Sequence, residues 1–266
     1  MNSNAIDKPA ILQRLETKCF GRSLVLLDEC TSTNDVAARI AEEGAPHGAV
    51  VIAETQLAGR GRHGRSWYSS RGGVWMSVLL KPEGRVFPID SFPIIAAVAI
   101  AKTMVLSWRI KARVRWPNDV VIDGRKVAGI LVESKSKGNE LTYAIIGVGI
   151  NANVDTSPVE SIRGSSTSLN SILNAPIDRV QLIVAVLSNL EAMFESVQAG
   201  DERAALDQLA ELDYSRGRRV RVRTVDSDLR GSFDSYESLA TARIRAGGGI
   251  NLVDTNAAVS VDYESD

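Results

Sequence analysis

Gly59-Arg60-Gly61-Arg62-His63-Gly64-Arg65-Ser66-Trp67 interleaves glycines with arginines and closes on a tryptophan. Glycine lets backbone N–H groups come close to a ligand and adopts positive φ freely. Arginine offers planar, permanently charged forks that match phosphate and carboxylate oxygens. Such a loop is suited to closing over an anion. Two generic phosphate motifs overlap it: Gly59, Gly61 and Gly64 satisfy G-x-G-x-x-G, and Gly59, Gly64, Arg65 and Ser66 nearly satisfy the P-loop, with arginine in place of lysine. Both motifs require a helix opening directly after the glycines. Trp67-Tyr68-Ser69-Ser70-Arg71-Gly72-Gly73 is instead rich in turn formers. Val50-Val51-Ile52 before the loop and Val74, Met76, Val78 and Leu80 after it read as strands, which argues against an unstructured Arg-Gly segment. The stretch is a loop between core strands, and a Rossmann or P-loop fold is set aside.

Upstream, Thr31-Ser32-Thr33-Asn34-Asp35 is a cluster of helix-capping residues ahead of Val36, Ala37, Ile40 and Ala41, with an end expected at Gly44 before Pro46. Downstream, the spacing predicts a strand over Val74–Leu80 and an apolar helix from about Asp90 to Ser107. Trp116-Pro117-Asn118-Asp119 then leads into a β-hairpin, Val120–Ile122 and Arg125–Glu133 about the Asp123-Gly124 turn. A further strand is expected over Leu141–Asn151, with helices near Asp178–Gln198 and Asp201–Asp213. From Arg216 the chain turns to short alternating segments with turn signals, ending on Gly247-Gly248-Gly249 and an apolar strand. Residues 1–18 are expected as a tail, 19–213 as a mixed α/β core and 214–266 as a small β domain.

With 266 residues, 44% hydrophobic and 24% charged, the chain has an ordinary globular composition and can bury a sizeable core. A formal net charge of −1 provides no global field toward nucleic acid or an anionic membrane. Cys19 and Cys30 make no disulfide framework. With His47 and His63 as the only histidines, neither a His/Cys zinc site nor a Ser-His-Asp triad is expected. Residues 1–18 lack an apolar signal core, and the run Phe92–Leu106 is short for a bilayer span and contains Lys102, so a cytoplasmic protein with no membrane contact is expected.

Strict alternation along the second hairpin strand would put Lys126, Ala128, Ile130 and Val132 on one face. A lysine there is costly to desolvate unless it meets a negative partner or reaches water. Asn118-Asp119 alone suits a turn, and Thr31–Asp35 alone suits a helix cap. Taken in order with Glu54-Thr55-Gln56, the Gly59–Trp67 loop, Trp116–Asp119, Lys126-Val127-Ala128-Gly129-Ile130-Leu131-Val132-Glu133 and Gly147-Val148-Gly149-Ile150-Asn151, they closely resemble the biotin–protein ligase family.

The resemblance implies an α+β fold, a mixed β-sheet flanked by helices with a small SH3-like β-barrel after it. It also implies adenylation of biotin by ATP with Mg2+, then transfer to one lysine of a biotin carboxyl carrier protein domain, such as that of acetyl-CoA carboxylase. Carried onto this chain, Ser32, Thr33, Asn34 and Gln56 look like biotin contacts, and Arg60, Gly61 and Arg62 line the closing loop. Lys126 and Arg62 would be catalytic, with Gly129 admitting the tail of biotin. Arg62, Arg65, Trp67, Asn118, Lys126 and Asn151 would face the nucleotide. No metal site is fixed by protein alone, with Asp119 a candidate magnesium contact. The family's DNA-binding N-terminal domain has no room before Cys19, so no specific DNA binding is expected, and a monomer or a homodimer would serve. His63 and Ser66 stand where the family often has basic residues. The Arg216–Arg223 stretch reads as a solvated edge that deters aggregation, with contact to ATP or an acidic carrier as the alternative. The rivals are a lipoate–protein ligase and a non-catalytic nucleic-acid binder. The loop and Trp116–Asp119 count against the first. Low net charge and the lack of aromatic interleaving among the basic residues count against the second.

Overall fold

A computed structural model of the chain describes residues 5–82 and 88–264. Helix α1 (Lys8–Arg14) leads to β1 (Leu24–Cys30), α2 (Thr33–Glu42), β2 (Val50–Gln56), β3 (Val74–Leu80), α3 (Phe92–Trp108), β4 (Arg113–Arg115), β5 (Asp119–Ile122), β6 (Arg125–Lys137) and β7 (Glu140–Ile150). Helices α4 (Leu169–Leu173), α5 (Arg179–Gln198) and α6 (Glu202–Leu212) follow. Last come β8 (Arg219–Arg223), β9 (Asp228–Ser238), β10 (Thr241–Ala246), β11 (Gly249–Asp254) and β12 (Ser260–Tyr263).

Strands β1–β7 form one seven-stranded sheet in the order β1-β2-β3-β7-β6-β5-β4. β1 and β2 run parallel, and the other described pairs in it are antiparallel. The sheet is covered on both sides. Ala37 and Ala41 of α2 pack on Val51, Leu79 and Ile145, while α3 and α5 cover the face carrying Val50, Ile52, Met76, Val78 and Ile146. That explains why β3 reads as an apolar run interrupted only by Ser77: all of its positions are buried. α3 is apolar all round for the same reason, because the sheet, α5 and α6 enclose it.

Strands β8–β12 form a separate antiparallel sheet, order β11-β10-β9-β8-β12, consistent with a small SH3-like domain. Its inner face continues the main core, with Phe233 against Trp116 at 5.9 Å between ring centroids. The arginines of β8 are paired along its outer face: Arg219 with Glu264, Arg221 with Asp228 and Arg223 with Asp262. None of the three lines the cavity described below.

The stretch expected as a tail is packed in its described part. Ile11 of α1 is fully buried, and the Ile6 N–H donates to Glu54 Oε1 at 2.9 Å. The N–H groups of Lys18, Cys19 and Phe20 all donate to the Glu191 carboxylate on α5, at 2.6–2.8 Å. Burial alone would raise that carboxyl, but the three N–H donors outweigh it and hold it below its ordinary value.

Candidate active site

A cavity of about 510 Å³ lies between the seven-stranded sheet, the 59–67 loop and the C-terminal sheet. Each residue singled out from the sequence lies on its wall: Ser32, Thr33, Asn34, Gln56, Arg60, Gly61, Arg62, Arg65, Trp67, Asn118, Asp119, Lys126, Gly129 and Asn151.

One end is uncharged and polar. Ser32 occupies the N-cap of α2 but makes no side-chain capping bond, and Ser32, Thr33 and Asn34 are buried. The cluster that reads as a helix cap is therefore turned to another use. The Thr33 N–H donates to Gln56 Oε1 at 2.8 Å, and the Gln56 amide donates to Ser69 Oγ at 2.8 Å. Asn34 Nδ2 donates to Glu133 Oε2 at 2.6 Å. Arg60 is held outside this end by a fork onto Asp35, at 3.0 and 2.6 Å, and by Glu133. These acids, Asp35 foremost, keep its guanidinium pKa above the ordinary value.

Glycines on β6 and β7 make room for two bulkier groups. Gly129 and Gly149 face each other in register. A Cβ at Gly149 would come within 2.5 Å of Trp67 Nε1, and one at Gly147 within 2.5 Å of Asn34 Oδ1. Gly129, expected to admit the tail of a ligand, lines the cavity beside the Trp67 ring and the Lys126 stem, each 2.9 Å from a Cβ built there. The Trp67 N–H is buried without a hydrogen-bond partner.

The other end carries charge. The alternation expected along β6 fails at one point, where a register shift between Val120 and Val121 pairs them with Ala128 and Lys126. This β-bulge leaves Val127 and Ala128 both in the core and turns Lys126 to the cavity. Lys126 is fixed by its main chain, its N–H donating to Ser165 O at 2.8 Å and its carbonyl accepting from Thr167 N at 2.9 Å. Its ammonium lies 2.5 Å from Asp119 Oδ1 and 4.9 Å from the centre of the Trp67 ring. Arg115 donates to the other oxygen of Asp119 at 2.9 Å. Burial would raise the Asp119 carboxyl, but Lys126 and Arg115 together prevail and hold it below its usual value. Asn118 and Asn151 are committed to the backbone, donating to Ile130 O at 2.7 Å and Thr167 O at 3.0 Å.

The glycine–arginine loop is a small hairpin, closed by Trp67 N to Gly59 O at 2.8 Å and an Arg60–Ser66 bridge, with His63 and Gly64 at positive φ. It docks on the turn between β11 and β12. Arg62 Nη2 donates to Thr255 O at 2.7 Å and Ala258 O at 2.8 Å, and His63 Nε2 lies 3.1 Å from Ala258 O. Burial lowers the pKa of the Arg62 guanidinium, against the attraction of Asp119. Trp116 anchors the same turn, its indole donating to Thr255 Oγ1 at 3.1 Å. Trp116 also receives Tyr263 OH on its carbonyl at 2.9 Å. Sequence reasoning missed the wall formed by Ala258–Tyr263, and it missed Arg115 and Ser77. Glu54, part of the motif pattern, is structural: it pairs with buried Arg179 at 2.8 Å.

Residues 27–151 match the family model described as "Biotin/lipoate A/B protein ligase family". The chain is 34% identical over 182 residues to the bifunctional ligase/repressor BirA of Bacillus spizizenii, covering 68% of this chain and 56% of that protein. It thus spans little more than half the length of that relative. It is 32% identical over 216 residues to the biotin–[acetyl-CoA-carboxylase] ligase of Mycobacterium tuberculosis, covering 76% of this chain and 74% of that one. The fold superposes with a TM-score of 0.80 on the biotin protein ligase of Aquifex aeolicus solved with biotin and ATP, at 26% identity, covering 91% of this chain and 100% of that one.

Proposed function

Because this chain belongs to the biotin/lipoate protein ligase family, we propose that its cavity adenylates biotin with ATP and passes the biotinoyl group to a lysine of a biotin carboxyl carrier domain. The observation that carries the reading is the division of one cavity into an uncharged polar end and a cationic end. A volume of about 510 Å³ is in the range of small-molecule sites. A cyclic urea offers N–H donors and a carbonyl acceptor, which the short side chains of Ser32, Thr33, Asn34 and Gln56 can meet. A dithiolane ring offers neither, so these residues favour biotin over lipoate.

In the first step a carboxylate oxygen of biotin attacks the α-phosphorus, and the bond to pyrophosphate breaks. Charge builds on the non-bridging oxygens, where Lys126 supplies a fixed cation. Asp119, kept ionised by Lys126 and Arg115, holds that ammonium in place. In the second step the carrier's amine nitrogen attacks the carboxyl carbon, AMP departs with the bonding pair, and the amine loses its proton. The mixed anhydride hydrolyses readily, so the hairpin over the cavity, latched by Arg62, keeps water out and the intermediate in.

Magnesium, which ATP chemistry of this kind uses to neutralise phosphate charge, finds no protein cage here. No group of three or more metal-ligating side chains occurs among the described residues, and Asp119 is already matched by two cations. The ion would arrive on the nucleotide's phosphates.

The test is biotin-dependent exchange of label between pyrophosphate and ATP, followed by ATP-dependent biotin transfer to a carrier domain. Exchange with lipoate and none with biotin would refute the reading.

A further inference from the structure

The polar end contains a proton-counting problem whose solution assigns a role to two residues behind the wall. Ser77, fully buried in β3, has its hydroxyl oxygen 2.7 Å from Thr33 Oγ1 and 2.6 Å from Asn34 Oδ1. A serine hydroxyl has one proton to donate. Asn34 is oriented from outside, because its Nδ2 donates to the Glu133 carboxylate, which can only accept. Asn34 Oδ1 therefore faces Ser77 as an acceptor, and the Ser77 proton is committed to it. That leaves Ser77 Oγ to accept from Thr33, the shorter of the two choices open to the Thr33 hydroxyl: Ser77 at 2.7 Å or Gln56 Oε1 at 3.0 Å.

The direction then runs Thr33 to Ser77 to Asn34, with Glu133 fixing its end. Gln56 is oriented independently, its Nε2 donating to Ser69 and its Oε1 accepting the Thr33 N–H. With the Thr33 proton turned to Ser77, Thr33 Oγ1 and Gln56 Oε1 each keep a lone pair for the cavity. We infer that Ser77 and Glu133 are positioning residues that set this direction and so make the polar end a double acceptor, matched to the two N–H groups of a cyclic urea. This rests on the biotin reading. Neither residue lines the cavity, so each acts through Thr33, Asn34 and Gln56.

Without the Ser77 oxygen the Thr33 proton must turn to Gln56 Oε1 or to the ligand, and one acceptor is lost. Glu133→Leu has the same consequence by another route, because the released Asn34 amide can rotate and present Nδ2 to Ser77, reversing the chain. Glu133→Gln keeps an acceptor for Asn34, so it should restore most of the biotin affinity that Glu133→Leu loses, although it gives up the charge opposite Arg60. The experiment is biotin-dependent pyrophosphate exchange on the full chain, with separate KM values for biotin and ATP. For Ser77→Ala and Glu133→Leu the biotin KM should rise about five- to tenfold, the effect of one net hydrogen bond. The ATP KM and kcat should stay within about twofold. The double variant Ser77→Ala/Thr33→Val should be no worse than Thr33→Val alone, since both act on one acceptor. A biotin KM unchanged in Ser77→Ala, or effects that simply add in the double variant, would overturn the assignment. A general loss of packing would lower kcat and both affinities together, and that too counts against it. Failure of the wild-type chain to exchange with biotin would be a different result, refuting the activity rather than the relay.

Discussion

On the proposed function, replacing Arg62 with glycine should separate holding the adenylate from making it. Arg62 Nη2 is bonded to Thr255 O at 2.7 Å and to Ala258 O at 2.8 Å, so this one side chain ties the hairpin to the C-terminal sheet. A hydrogen bond from a charged donor contributes roughly 1.5–3 kcal/mol. Two are lost, but burial already costs the guanidinium part of that gain, and the freed carbonyls can take up water. The closed hairpin should thus weaken by about one bond's worth, which corresponds to escape of the adenylate faster by about ten- to a hundredfold. The fixed cation at the reacting phosphate, Lys126, is untouched. The assay is ATP-dependent appearance of biotin on an unrelated protein such as serum albumin, with the carrier domain present, because free adenylate acylates any exposed amine. Arg62→Lys, whose single ammonium cannot match the fork's geometry, should fall between the two. If Arg62→Gly labels only the carrier, or loses pyrophosphate exchange as completely as Lys126→Ala, the latch does not retain the intermediate.

Lys126→Ala should lower biotin-dependent exchange by about a hundred- to a thousandfold, the loss expected for one fixed transition-state donor, with some fall in melting temperature because Asp119 keeps only Arg115; near-wild-type exchange in a folded variant would refute it. Glu54→Ala should act through stability, by about 3–5 kcal/mol, because it removes the carboxylate paired with the buried Arg179 guanidinium; thermal unfolding reads this, and an unchanged melting temperature with lost exchange would make Glu54 catalytic instead. Asp119 titrates below its ordinary value, so the stability it contributes is present above the unfolded carboxyl value of about 3.9 and is lost as pH falls through the lower folded one. Asp119→Asn should therefore be less stable than the wild type at neutral pH and lose less on acidification. Unfolding curves at several pH values check this, and parallel acid limbs would refute it.

What could be read in the sequence divides along a physical line. Local chemistry was legible: the turn at Asp123-Gly124, the strands flanking the glycine–arginine loop, and the starts of α5 and α6 at Asp178 and Asp201, both of which cap with their side chains. The candidate residues were legible because their types are unusual where they stand, as with a lysine beside an apolar strand. Three things were not. The bulge that turns Lys126 to the cavity depends on pairing with β5, and alternation along one strand cannot reveal it. The Ala258–Tyr263 wall lies more than a hundred residues from Trp116 and carries no motif. Helix α1 is short and gains its place from tertiary contacts rather than from propensity. Ser77 did leave a signal, as the one polar residue in the buried run Val74–Leu80, where a hydroxyl needs a partner.

The C-terminal sheet is the part whose role changes most on this reading. An appended domain with a solvated arginine edge would be dispensable for chemistry. Here its β11–β12 turn is held from two sides, by the Trp116 indole on Thr255 Oγ1 and by Arg62 on the Thr255 and Ala258 carbonyls. Trp116 directly precedes the Pro117-Asn118-Asp119 segment, and Asp119 in turn pairs with Lys126. The turn therefore touches both the hairpin that closes the cavity and the segment leading into the strand that begins at Asp119. Displacing the C-terminal sheet would loosen the hairpin and remove the packing behind Trp116 together. Closure and charge placement thus share a single mechanical support, so on the adenylation proposed above, loss of the sheet should leave the intermediate unsheltered.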